Sequence, residues 1–177
     1  MIIVIVLLAA AAIAAIWAIS TVNSFKRLEI KVDEALSGIE VALEKRYDML
    51  TKLMDTAKGY MQHETETFTK VIELRKGMSV KDLSARDAEM SELSGRLFAV
   101  AESYPELRSS EVFTELSEGI RDAEEHLQAA RRVYNANVRE YNTAIVMFPA
   151  KLLADGRTPK DFYEAEEPKH QDVKISF

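Results

Sequence analysis

Histidines are the first residues to test for chemistry, because histidine is the commonest metal ligand and general base in proteins. The sequence contains His63, His126 and His170. A helical di-iron site needs Glu-x-x-His pairs on facing helices. The residues three before the histidines are Tyr60, Ala123 and Glu167, and only Glu167 fits that pattern. The stretch HETET, starting at His63, lacks the second histidine of a zinc-protease helix. These spacings predict no metal site.

Motifs for nucleophilic or phosphate chemistry are also missing from the sequence. It has no Gly-x-Ser-x-Gly elbow and no Gly-x-x-x-x-Gly-Lys loop. It has no cysteine, which excludes disulfides and thiolate metal ligands. The formal net charge is −6 and the basic pairs lie beside acids, so no nucleic-acid partner is expected. We therefore predict a non-enzymatic protein with no catalytic residues and no cofactor.

A group of polar residues remains as a candidate interaction cluster. His63 and Glu64 follow Tyr60 by three and four residues, so all three share one region of a helix. They either form a polar pocket with residues of a later helix, or the histidine satisfies a buried hydrogen bond. Arg46 occupies an apolar-stripe position and is expected to pair with Glu102 or with a carboxylate of another copy. The full candidate cluster is Arg46, Tyr60, His63, Glu64, Glu102, Asn135 and Asn142.

The N-terminal segment is expected to position the chain in a membrane. Eighteen residues, from Ile2 to Ile19, carry no polar side chain, and as a helix they span roughly 27 Å. No Lys or Arg precedes them, whereas Lys26 and Arg27 follow, which predicts an outer N-terminus and a cytoplasmic C-terminal part. A cleaved signal peptide is the alternative, but a basic leader is missing and the apolar run is long.

Small residues recur every four positions in this segment, a spacing that lets membrane helices approach closely. They are Ala10, Ala14 and Ala18. The alternative is that alanine is a tolerated apolar filler. If the spacing is functional, these alanines form the surface through which membrane helices associate.

Helical periodicity continues through most of the remaining sequence. An apolar stripe runs from about residue 24 to 76, and Gly77 ends it. Ser79 and Asp82 resemble a capping box that starts a second helix, and Pro105 is expected to end that helix. Ser109 or Ser110 is expected to cap a third helix. A short helical piece, AKLLADG, follows Pro149.

The third helix contains an apolar seam with three-four spacing, the pattern of a helix that packs against other helices. Its members are Phe113, Leu116, Ile120, Leu127, Tyr134, Asn137, Tyr141 and Phe148. The dipeptide Tyr-Asn occurs twice, seven residues apart, so both tyrosines lie on one face. Asn135 and Asn142 then border the seam, either paired across the bundle or solvated. The polar residues after 155 are expected to form a tail that docks through Phe162 and Tyr163.

Three blocks of the sequence resemble the successive signatures of LemA family proteins. They are RYDMLTKLMDTAKGYMQHE (46–64), AVAESYPELRSSEVFTELSEGI (99–120) and ARRVYNANVREYNTAIVMFP (130–149). The resemblance covers about residues 23 to 155. It implies a single-pass membrane protein with a small outer N-terminus and a helical bundle, and it implies no catalytic residues.

These observations predict an all-α protein with an N-terminal transmembrane helix that leads into an antiparallel bundle of three long helices and a short fourth. The expected domains are a membrane helix at 1–22, a bundle at 23–155 and a polar tail at 156–177. We expect a non-enzymatic helical scaffold that is anchored in the lipid bilayer and self-associates through its helical bundle and its membrane helix. A membrane-tethered adaptor or regulator that binds another membrane protein is the alternative.

Overall fold

The computed structural model describes residues 1–58 and 80–163, with side chains at 80–82 excepted. Helix α1 spans Ile2–Lys58, α2 spans Val80–Ala101, α3 spans Pro105–Arg108 and α4 spans Glu111–Val146. A 3₁₀ helix, Ala150–Leu153, is the short element expected after Pro149. No strand occurs within the described ranges. The predicted all-α fold with a long apolar N-terminal helix is confirmed.

Two packing units share the long helices. The first unit comprises Met1–Ile39 and Ala130–Phe162, and the second comprises the described residues of Glu40–Ala129 together with Tyr163. The predicted divisions after residues 22 and 155 stay a prediction. The continuity of α1 beyond Gly59 and the capping box at Ser79 lie outside the described residues.

The core of the first unit is built from one face of α1 and one face of α4. The buried side chains recur at helical spacing on both helices. They are Phe25, Leu28, Val32 and Ile39 on α1, and Tyr134, Val138, Tyr141 and Ile145 on α4. The apolar segment before them differs, because its side chains from Ile2 to Trp17 are exposed.

The second unit combines parts of α1, α2, α3 and α4 around a separate set of buried side chains. Most are aliphatic, and they include Leu43, Leu50, Leu53, Met90, Leu97, Leu107, Ile120 and Leu127. Gly119 permits close approach of two helices here, because a Cβ at this position would lie 3.2 Å from the sulfur of Met49.

Proline and serine set the helix boundaries around residue 105. Helix α2 ends at Ala101, and Pro105 is the first residue of the one-turn helix α3, where its missing N–H costs no hydrogen bond. Ser110 rather than Ser109 caps α4, because the backbone N–H of Phe113 donates to its Oγ at 3.2 Å. The expected end of α2 was therefore placed slightly late, and α3 was missed.

The predicted seam needs correction at its C-terminal end. Phe148 is 81% exposed, because α4 ends at Val146 and the chain turns there, so the three-four alternation no longer applies. Val138 and Ile145 are buried and had not been assigned to the seam. The buried face of α4 in the first unit therefore runs through Tyr134, Val138, Tyr141 and Ile145.

Candidate functional site

A buried ion network occupies the second unit. One guanidinium nitrogen of Arg46 on α1 lies 2.7 Å from Asp87 Oδ1 on α2 and 2.8 Å from Glu124 Oε2 on α4. Its other terminal nitrogen donates to Ser91 Oγ at 3.1 Å. Arg46 is 4% and Asp87 6% exposed, whereas Glu124 is partly open to solvent. One cation therefore joins three helices.

Tyr163 closes this network from the C-terminal side. Its ring is buried, and its hydroxyl donates to the carbonyl of Leu83 at 3.1 Å and lies 3.4 Å from Asp87 Oδ2. Phe162, by contrast, is exposed. The docking expected for this end of the chain is therefore seen for Tyr163, whereas Phe162 stays 45% exposed.

The electrostatics of the network suit a structural role. Burial lowers the pKa of Arg46, and the neighbouring Glu124 carboxylate opposes that shift. The guanidinium nevertheless stays charged at neutral pH, because an arginine side chain loses its proton only under strongly alkaline conditions. A permanently charged, closed cation cannot serve as a general acid or base. It can hold α1, α2 and α4 in a fixed register, as buried ion pairs do in some folds.

A second polar arrangement, in the first unit, clamps the chain that follows α4. The side-chain amide of Asn142 donates to the carbonyl of Lys160 at 2.9 Å and accepts the Lys160 backbone N–H at 2.8 Å. The Tyr134 hydroxyl donates to the carbonyl of Asp161 at 3.0 Å. We call Tyr134, Asn142 and the backbone of residues 160–161 the tail clamp.

Charged groups reinforce the tail clamp. Lys160 Nζ lies 2.9 Å from Asp33 Oδ1 on α1 and 6.0 Å from the centre of the Tyr141 ring. Burial raises the pKa of Tyr134, and the carboxylates of Asp161 and Asp33 add to the effect. The phenol therefore remains a neutral hydrogen-bond donor at physiological pH.

The contacts of the described polar residues differ in part from those expected from the sequence. The expected Arg46–Glu102 pair is wrong, because Glu102 is exposed in the turn after α2 and Arg46 instead meets Asp87 and Glu124. Asn135 is half-buried and has an interaction partner. Asn137 donates to the carbonyl of Lys31 on α1 at 3.1 Å. Tyr60, His63 and Glu64 lie outside the described residues.

The seam residues divide by burial. Ile120, Leu127, Tyr134 and Tyr141 are buried, and Phe113, Leu116 and Asn137 are half-buried. In the membrane segment, Ala10 and Ala14 are exposed and Ala18 is half-buried. Within residues 1–58 and 80–163, no group of three acidic or histidine side chains could hold a metal ion.

Sequence reasoning missed several participants in these arrangements. Asp87, Glu124, Lys160 and the hydrogen-bonding role of Tyr163 carry no local signature. Asp87 and Glu124 lie on helices that carry many other acidic residues, so neither stands out in the sequence. They are also 41 and 78 positions away from Arg46, the residue they contact. Their one detectable signal was Arg46 itself, since a cation on an apolar stripe requires a partner.

Helix α1 contains a segment that is long and apolar enough to cross a membrane, judged by length and composition. The exposure of its side chains agrees with contact to lipid, because a helix that is apolar on all sides and unburied by protein has no other apolar surroundings.

Comparison with known proteins gives consistent matches. A family model described as the LemA family matches residues 35–177. The chain is 28% identical to Protein LemA of Metamycoplasma hominis over 161 residues, which cover 87% of this chain and 74% of the relative. It is 31% identical to the magnetosome protein MamQ of Magnetospirillum gryphiswaldense over 78 residues, which cover 44% of this chain and 29% of that relative.

Proposed function

Because this chain is a member of the LemA family, we propose that it is a membrane-anchored, non-enzymatic helical scaffold that self-associates. One observation carries the proposal. Helix α1 is unbroken from Ile2 to Lys58, so its exposed apolar segment leads directly into the part that carries Phe25 and Val32 in a packed core. A helix of this kind ties a bilayer anchor to a folded unit without a flexible linker.

The orientation proposed for the anchor has the N-terminus outside and the folded part in the cytoplasm. The support is the charge distribution, since Lys26, Arg27 and Lys31 follow the apolar segment closely. Protease accessibility of a C-terminal tag tests this orientation. Protection in spheroplasts is expected, and cleavage there would overturn it.

Self-association is proposed to run mainly through the membrane helix. Tyr134 and Tyr141 of the long seam are buried inside their own chain, which leaves them unable to meet a second copy. Ala10 and Ala14 remain exposed on one helix face. Small side chains at this spacing allow two membrane helices to approach closely in lipid.

Cysteine crosslinking tests the scaffold, because the chain has no cysteine of its own. Ala14→Cys is expected to form disulfide-linked dimers in membranes. Ile16→Cys is the matched control, because it lies about 200° round the same helix, given 100° per residue. A monomer by light scattering across concentrations, with equal or no crosslinking at both positions, would overturn self-association.

The adaptor role is the second candidate. It is supported by the structural roles of the Arg46 ion network and the tail clamp, and by a sequence that carries no catalytic motif. Photo-crosslinking from the exposed face of α1, for example at Val41, separates the two. Crosslinks to copies of this chain favour the scaffold. Crosslinks to one recurrent membrane protein favour the adaptor.

A further inference from the structure

Large apolar side chains are exposed where α4 ends in the first unit. Phe148 is 81% and Leu152 70% exposed, and Val146 and Met147 also face solvent for more than half of their surface. We call these four residues the apolar foot. Single exposed apolar residues are ordinary on protein surfaces, whereas a cluster within seven positions marks an interaction site.

The foot is placed beside the start of the folded part of α1 by two contacts within the first unit. Asn137 of α4 donates to Lys31 of α1, and the Arg157 guanidinium, further along the chain, lies 4.9 Å from the centre of the Phe25 ring. Asn137 within α4 thus contacts Lys31, whereas the chain just beyond the C-terminal end of α4 reaches Phe25, so this end of α4 is directed toward the N-terminal part of α1 and the two helices are antiparallel here.

This antiparallel register sets the level of the foot along α1. Asn137 is level with Lys31, and each residue of α4 advances about 1.5 Å. Val146, nine residues later and the last residue of α4, is therefore roughly level with Val22 of α1, and the rest of the foot follows it directly in the chain. The apolar segment ends at Ile19. The foot consequently stands where α1 would leave the hydrocarbon, in the headgroup layer of about 5–7 Å.

Charge at the foot fits a lipid surface. Lys151 is exposed between Phe148 and Leu152, and Lys26 and Arg27 are exposed on α1 four and five residues beyond the level of Val146, a distance of about 6–8 Å. Basic side chains beside apolar ones bind anionic headgroups while the apolar groups enter the acyl boundary. Trp17, near the end of the apolar segment, is of the type that favours the same interface.

We propose that the apolar foot inserts into the bilayer interface as a second membrane contact, and that this contact fixes the angle between α1 and the membrane. The inference rests on the proposed membrane anchoring by α1. A helix that crosses a bilayer alone can tilt and rotate, whereas two contacts at one level restrict both motions.

Fluorescence from single-cysteine variants of the full-length protein tests the foot. Phe148→Cys and Leu152→Cys are labelled with an environment-sensitive fluorophore and reconstituted in vesicles of phosphatidylethanolamine and phosphatidylglycerol. Lipids with a spin label at the top of the acyl chain serve as quenchers. Both labels are expected to emit at shorter wavelength and to be quenched several-fold more than a label on Val133→Cys.

Val133 is the matched control because it is 55% exposed on α4 of the same unit. It lies thirteen residues before Val146, the end of α4, which places it about 20 Å further from the interface. Ile13→Cys reports on the anchor, and deep quenchers should reach its label. If Ile13 is quenched while the two foot labels behave like Val133, the foot is wrong and the anchor stands. An unquenched Ile13 label would overturn both.

The charge contribution has its own test with the label at Leu152. Adding Lys151→Glu should reduce the quenching in vesicles that contain phosphatidylglycerol and leave it nearly unchanged in phosphatidylcholine vesicles. Equal quenching in both lipids, with and without the substitution, would remove the electrostatic part of the proposal.

Discussion

The guanidinium of Arg46 and the carboxylate of Asp87 lie 2.7 Å apart, and more than nine-tenths of each residue is shielded from water. Bringing two such charges out of water is costly, and only their mutual contact and the added hydrogen bonds offset that cost. The pair is therefore sensitive to loss of either partner, since the survivor would be left in a poorly solvated site without its counter-charge.

Arg46→Met is expected to lower the free energy of unfolding by about 3–5 kcal/mol, because it leaves Asp87 and Glu124 without their shared cation. Chemical unfolding of the full-length protein in a mild detergent, followed by circular dichroism, measures the loss. Arg96→Met is the control. Its pair with Glu92 is solvent-exposed, so a change of only about 0–1 kcal/mol is expected. Equal losses for both variants would contradict the buried-network interpretation.

Asn142→Ala is expected to release the tail clamp, because both of its hydrogen bonds to the backbone of Lys160 disappear. Two lost, partly buried bonds correspond to about 1–3 kcal/mol. Hydrogen exchange should accelerate at the amide of Lys160. Asn137→Ala, which removes one exposed bond to Lys31, serves as the comparison and should leave that amide unchanged. Unaltered exchange in both variants would show that the clamp is not formed in solution.

Local patterns predicted the elements of this fold because each helix carries its own period and its own ends. The apolar segment before Ser20, the cap at Ser110 and the three-four seam through Tyr134 and Tyr141 are all sequence-local features. The exposed position of Phe148 was not predictable in this way. The three-four spacing continues in the sequence beyond Val146, where α4 ends. The spacing alone therefore does not show that Phe148 lies outside the helix.

Only one partner of each polar contact could be predicted from the sequence. The chain shows that Arg46 needs an acid, but several acids are equally plausible until the helices are packed, and Glu102 was the wrong one. The Asn142 amide binds the backbone of Lys160. Backbone groups are the same at nearly every residue, so the sequence does not show which segment the amide binds. Such contacts depend on the return path of residues 157–163, which carry no periodicity.

Alkaline pH is expected to weaken the first unit through Tyr134. Burial raises the pKa of its phenol in the folded state, so its contribution is fully present below the ordinary pKa of about 10. As pH rises further, the unfolded chain loses this proton first, and the free energy of unfolding falls until the folded pKa is passed. Thermal melts of the wild type and of Tyr134→Phe from pH 8 to 11 measure the effect.

The result is read from the difference in stability between the wild type and Tyr134→Phe, because every other effect of alkaline pH is common to both proteins. Near pH 8 the wild type should be more stable by about 0.5–1.5 kcal/mol, the value of the bond to Asp161. This advantage should shrink above pH 10. An advantage that stays constant up to pH 11 would mean that the phenol titrates equally in the folded and unfolded states.

Tyr141→Ala is expected to destabilise the protein by about 3 kcal/mol, near the lower end of the range for large-to-small aromatic changes in cores. Tyr141 is buried on the face of α4 that also carries Tyr134, and the next residue, Asn142, binds the returning chain. The repeated Tyr-Asn thus places an aromatic ring in the core, with an amide at its border. Val133→Ala, at an exposed position of the same helix, should change stability by at most about 0.5 kcal/mol. Unfolding in detergent measures both variants. If Tyr141→Ala unfolded like the wild type, the packing role would be wrong, and the Tyr-Asn repeat would instead belong to a surface recognition site.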